Sequence, residues 1–124
     1  MAKKVLLAVR PQEADAFYSL IQRSSHAAIS TSSLTGARTW LGKMLFHIAV
    51  VDEDFDGPGT GWILAKHIRQ QLPPDVKIVM LVRSCPQEYF ENKELAGRFD
   101  WIMAFPISGE QLLHELDRKW PTTS

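Results

Sequence analysis

A chain of 124 residues, 45% hydrophobic and 23% charged, has ordinary globular composition and the length to bury one core, so residues 1–124 read as a single domain ending in a short polar tail at 121–124. Fourteen Lys and Arg balance fourteen Asp and Glu, which leaves no excess of positive charge for nucleic acid or an anionic membrane. The apolar stretch after the first lysines stops at Arg10, too short for a signal-peptide core or a membrane span, and the single cysteine, Cys85, excludes an intrachain disulfide and points to a reducing cytoplasm.

The hydrophobic pattern alternates between short apolar runs and longer segments of helical period. "KVLLAV" (4–9) predicts a buried strand, and "PQEADAFYSLIQRS" a helix with Ala14, Phe17, Leu20 and Ile21 on one side. "HAAIST" (26–31) is a weaker strand. "SSLTGARTWLGKM" places Leu34, Ala37, Trp40 and Leu41 on a helical stripe, against the cost of Gly36 and Gly42. "FHIAVV" (46–51) predicts a third strand, followed by an acidic, glycine-rich loop and a helix, "GWILAKHIRQQL", stopped by Pro73 and Pro74. "VKIVMLV" (76–82) is the most strand-like run. "PQEYFENKELAG" opens on proline and closes on glycine, as one helix would, with Cys85 just before it in a capping or structural position. "DWIMAF" (100–105) predicts a fifth strand, and in "SGEQLLHELDRKW" Ser108 and Gln111 have the spacing of a capping box. Five strand–helix pairs in strict alternation predict an α/β fold, a parallel sheet with helices on both faces. Chemistry in such sheets gathers at the carboxyl ends of the strands, where strand order reverses.

The loop "VVDEDFDGPGTG" (50–61) lies at such an end. Its alternating Asp52, Asp54 and Asp56 before Gly57 imitate the start of a calcium loop, but the twelfth position, where a bidentate Glu is needed, is Ile63. Two aspartates two residues apart also suggest haloacid-dehalogenase-type phosphatases, in which one carboxylate attacks phosphorus and the other protonates the leaving group. Those enzymes carry the pair on the first strand of a longer chain. "GPGTG" lacks the lysine of a phosphate-binding P-loop. His26, His47, His67 and His114 have no metal-ligand spacing.

From about Lys3 to Trp120 the sequence resembles the CheY-like receiver domain of bacterial response regulators. "HIAVVDEDFDGPGTGWILAKHIRQ", "KIVMLVRS" and "DWIMAFPISGEQLLHEL" carry the resemblance. It implies a three-layer (βα)5 flavodoxin-like fold with a five-stranded parallel sheet, and it makes Asp52 the candidate phosphoacceptor. It also implies a role in two-component signal transduction, not an enzyme's, with a kinase, an output domain or a second copy as partner. The pocket departs from the family pattern. The two acidic residues that help hold magnesium are matched by Val9 and Arg10, the switch hydroxyl by Val82, the lysine before Pro106 by Phe105 and the switch aromatic by Ile102. The loop is one residue longer than usual, which blurs the match of Asp54 and Asp56.

The sequence therefore predicts a degenerate receiver that works through protein contacts, with no cofactor. Magnesium enters only under the alternative, a working receiver phosphorylated on Asp52. Arg10 is expected to pair with Asp52 as a fixed cation, a gross attraction of about 4 kcal/mol at ~4 Å and an effective dielectric of about 20, much of it offset by desolvation. The simpler readings are a solvated Asp52 and a surface Arg10. Trp40, Trp62, Trp101 and Trp120 are expected in or beside the core. Tyr89 and Phe90, adjacent on a helix, cannot both face inward, so they are the interface candidates.

Overall fold

The computed structural model describes residues 3–83 and 85–117. The chain runs β1 (Lys4–Ala8), α1 (Pro11–Gln22), β2 (Ala27–Thr31), α2 (Leu34–Lys43), β3 (Ile48–Asp52), α3 (Thr60–Gln71), β4 (Lys77–Val82), α4 (Pro86–Glu91), α5 (Lys93–Ala96), β5 (Trp101–Ala104) and α6 (Gly109–Asp117). The strands form one parallel sheet in the order β2-β1-β3-β4-β5. β3 and β4 are buried from end to end, which is why both read as unbroken apolar runs rather than alternating ones. The chain turns back across β1 to reach β3, so the carboxyl ends of β1 and β3 flank the crevice at the topological switch.

Strand alternation divides the core into two layers. Leu6 and Ala8 of β1, Ala49 and Val51 of β3, and Ile78, Met80 and Val82 of β4 pack with Ala37, Leu41, Leu64, Ala65 and Ile68 from α2 and α3. Their neighbours Val5, Leu7, Ile48, Val50, Val79 and Leu81 pack on the other side with Phe17 and Ile21 of α1 and Leu112 and Leu116 of α6. The result is the three-layer, flavodoxin-like α/β architecture that the alternation and the resemblance imply.

Most differences from the predicted elements are shifts of one or two residues at the ends. The run 86–97 is a larger one: it is two short helices, not one. Asn92 leaves helical geometry at ψ 105° and its side-chain oxygen accepts from the backbone N–H groups of Glu94 and Leu95, so local capping restarts the helix. Ser108 and Gln111 do form the reciprocal capping box, with Gln111 N–H donating to Ser108 Oγ at 3.1 Å and Ser108 N–H to Gln111 Oε1 at 2.9 Å. Cys85 stands at the N-cap of α4 but is exposed and makes no side-chain cap. Trp62 is buried, and Trp40 and Trp101 are half-buried at the core edge. Trp120 lies outside the described residues. Among the described residues no helix is long and apolar enough to cross a membrane.

One glycine fixes how closely α3 approaches the sheet. A Cβ on Gly61 would fall 2.6 Å from Glu53 Cα and closer still to the Asp52 carbonyl oxygen, backbone atoms that cannot turn aside. Gly42 in α2 faces open space. Gly61→Ala is therefore expected to cost about 1–3 kcal/mol of unfolding free energy, whereas Gly42→Ala gains about 0.5–1 kcal/mol from helix propensity. Urea unfolding of the two variants checks the contrast; equal effects of the same sign would contradict it.

Candidate functional site

The alternation that builds the core also sorts the residues that follow β3. Ile48 and Val50 face α1 and α6, so Asp52 continues on that side, and Glu53 turns toward α3 and α4. The same rule acts on β4: Val82 packs into the α3 layer, and Arg83 emerges on the side of Asp52, whose register partner is Leu81.

Asp52 is 0% exposed. The reading of a solvated residue closing a strand is thus corrected: the carboxylate is closed in at the sheet end and met by the Asp54 N–H, Arg83 and Arg10. Its Oδ1 accepts from Asp54 N–H at 2.9 Å and its Oδ2 from Arg83 Nη2 at 2.7 Å. Arg10 Nε lies 3.8 Å from the same Oδ2, while Arg10 Nη2 is 3.4 Å from Asp54 Oδ2. The expectation of Arg10 as the cation opposite Asp52 therefore needs correcting in its emphasis. Arg10 faces the pocket and is shared between two aspartates, and the hydrogen-bonding cation is Arg83. Arg83 also reaches Glu13 Oε1 at 3.3 Å, and its guanidinium lies 4.0 Å from the centroid of the Phe105 ring. A planar, weakly hydrated guanidinium suits that position between carboxylate and ring face.

Burial pushes the Asp52 carboxyl above its ordinary value; the Asp54 N–H, Arg83 and Arg10 pull it back, and the nearby Glu13 adds to the rise. Desolvation outweighs two guanidiniums because both are partly open to water, with side chains 29% and 31% exposed.

The other acids of the loop are engaged by backbone. Asp54 Oδ1 accepts from Gly59 N–H at 2.9 Å, and Asp56 Oδ2 accepts from Leu34 N–H at 2.8 Å, at the start of α2. Gly57 and Gly59 take positive φ values of 106° and 74°, the bends that bring this loop round to α3. Among the described residues no group of three or more His, Cys, Asp or Glu is arranged to hold a metal ion.

Of the remaining candidates, Val9 and Val82 are fully buried and have no polar side-chain atom to offer the pocket. Phe105 stacks on Arg83, and the peptide bond from Phe105 to Pro106 is cis. Ile102 belongs to the opposite core layer, away from Asp52. Tyr89 turns inward, stacking on Trp62 at 5.2 Å and donating its hydroxyl to Glu53 Oε2 at 2.7 Å. Phe90 is 53% exposed and meets Phe99 edge-on at 5.3 Å.

Sequence reasoning missed Arg83, Glu13 and Glu53. The usable signal was the period of β4: a residue one past Val82 lies on the same side as Leu81, and so beside the end of β3.

The magnesium that the receiver resemblance implies does not fit these residues. Its acidic ligand positions carry the buried Val9 and the cationic Arg10, and an ion beside Asp52 would face two guanidiniums.

No protein-family model matches the sequence, and no curated protein does. Solved structures resemble the fold. The receiver domain of the Francisella response regulator 1452 superposes with a TM-score of 0.80 at 17% identity, covering 93% of each chain. A CheY-like receiver domain from Methylobacillus flagellatus gives 0.73 at 21% identity, covering 91% of this chain and 93% of that one. NtrX from Brucella abortus, crystallised with ADP, gives 0.78 at 15% identity; 94% of this chain is covered, but it spans only 26% of NtrX. The chain thus has the CheY-like receiver fold.

The raised pKa makes a signed prediction. The folded chain binds the Asp52 proton more tightly than the unfolded chain, so the stability Asp52 contributes is fully present below the ordinary carboxylate range and is lost as pH rises through the raised folded value. The stability of Asp52→Asn, neutral throughout, is expected to rise relative to that of the parent across that window and to level off above it. Urea unfolding of both proteins from about pH 4 to 8 measures this. A difference that moves against Asp52→Asn as pH rises would contradict it.

Proposed function

We propose that this chain is a degenerate receiver domain of bacterial two-component signalling, one that acts in the cytoplasm through contacts with other signalling proteins and without magnesium-dependent phosphorylation. The supporting observation is the double occupancy of the acceptor: both carboxylate oxygens of Asp52 already accept hydrogen bonds, one from backbone and one from Arg83.

Phosphoryl transfer to a carboxylate requires a free, anionic oxygen aligned with the donor, and cationic groups that neutralise charge gathering on the equatorial oxygens. Here the cations are anchored on the nucleophile itself. Arg83 would have to leave Asp52, Glu13 and the Phe105 face together, and a phosphoryl group arriving with about −1.5 to −2 charge would meet Asp54 and Glu13 beside it. The lysine and hydroxyl that would receive it are represented by Phe105 and Val82. Such a site holds its carboxylate in one state, and information passes through surfaces. Phe90 is the exposed aromatic on the face of α4, and a kinase, an output domain or a second copy is the class of partner it suits.

Incubation with magnesium and acetyl phosphate, followed by intact-mass measurement, is expected to give no adduct. A phosphate adduct that disappears in Asp52→Ala would overturn the proposal in favour of a working receiver.

A further inference from the structure

The segment carrying α4 and α5 is attached to the sheet unlike any other helix. α1, α2, α3 and α6 each bury between two and five residues. α4 and α5, six and four residues long, bury none. Instead of a full apolar stripe they rely on a polar fastener. Glu53 is only 8% exposed, and among the described residues it forms no ion pair with a lysine or arginine. One of its oxygens accepts the Tyr89 hydroxyl at 2.7 Å, and the other accepts Arg83 N–H at 2.9 Å. A single carboxylate thus holds both the loop leading into α4 and the body of α4. Beneath it, Tyr89 lies flat on Trp62, and Trp62 and Phe90 both meet Phe99 edge-on.

We infer that residues 85–96 form a strap fastened by Glu53, which opens as a unit while the sheet stays folded and on opening uncovers Trp62 and Phe99. Local opening of this kind is expected where a segment has few buried apolar contacts and its docking rests on a small number of specific bonds. Neither a charge placed on Asp52 nor its absence is needed for the strap to work, so this inference stands apart from the proposed function. The two meet at Arg83, whose backbone is held by Glu53 and whose guanidinium is held by Asp52.

Amide hydrogen exchange on the full chain, in the parent and in Glu53→Ala, Glu53→Gln and Tyr89→Phe, tests the strap. In the parent, residues 86–96 are expected to exchange faster than β1 and β3. Glu53→Ala is expected to speed exchange of 86–96 by about ten- to a hundredfold, the loss of hydrogen bonds to a charged acceptor, with β1 and β3 unchanged. Glu53→Gln keeps one acceptor oxygen but turns an amide N–H toward the other donor, so its effect lies between those of parent and Glu53→Ala. Tyr89→Phe, which leaves the stack on Trp62 intact, is expected to reproduce part of the effect and carries the test if Glu53→Ala does not fold. Unchanged exchange of 86–96 in the variants would overturn the inference, as would acceleration spread equally over the sheet, or a parent in which α4 exchanges no faster than β3.

Discussion

A carboxylate withdrawn from water at the end of a buried strand must be met by donors, and the hydrogen bond from Arg83 to Asp52 is the one on which this end of the molecule is organised. The sheet places Asp52 there: β3 is covered along its whole length, and α3 packs against its backbone at Gly61, closer than a side chain would allow. Left unpaired, an ion in that position would carry a desolvation cost of several kcal/mol. Arg83 answers it while keeping part of its own guanidinium in water and stacking on Phe105, a geometry a lysine could not reproduce.

From that bond the neighbouring features follow. Arg83 draws together the ends of β3 and β4, the first turn of α1 through Glu13, and the turn after β5 through Phe105. Arg10 closes the other side by bridging Asp52 and Asp54; Asp54 gives its other oxygen to the loop backbone, and one oxygen of Asp56 accepts from the start of α2. The acidic loop therefore behaves as a set of internal caps, in which each carboxylate has a nearby N–H or guanidinium. Such an arrangement leaves little room for a hard cation, which needs several oxygens free to turn toward it.

The layered fold was legible in the sequence because burial on both faces leaves continuous apolar runs such as "KIVMLV", and helix-period stripes fall between them. The position of Asp52 was legible for the same reason, as the first polar residue after the third run. For Arg83 the period of β4 gives only the side on which it emerges; its partner depends on the pairing of Asp52 with Leu81 across two strands, a register that local sequence does not encode. Glu53 was hidden among four acids in five residues; only strand alternation shows that it turns from its neighbours toward Tyr89. The break in the helix predicted over 86–97 came from the side chain of Asn92 competing for backbone N–H groups, an outcome that overall periodicity masks.

Arginine side-chain nitrogen resonances, followed during a titration with millimolar magnesium, test the built-in cation most directly. The Arg83 guanidinium protons are expected to be protected from exchange in the parent, to lose that protection in Asp52→Asn, and to be indifferent to magnesium. Fast-exchanging Arg83 protons that are identical in the two proteins, together with saturable magnesium shifts at residues 52–54, would contradict the account.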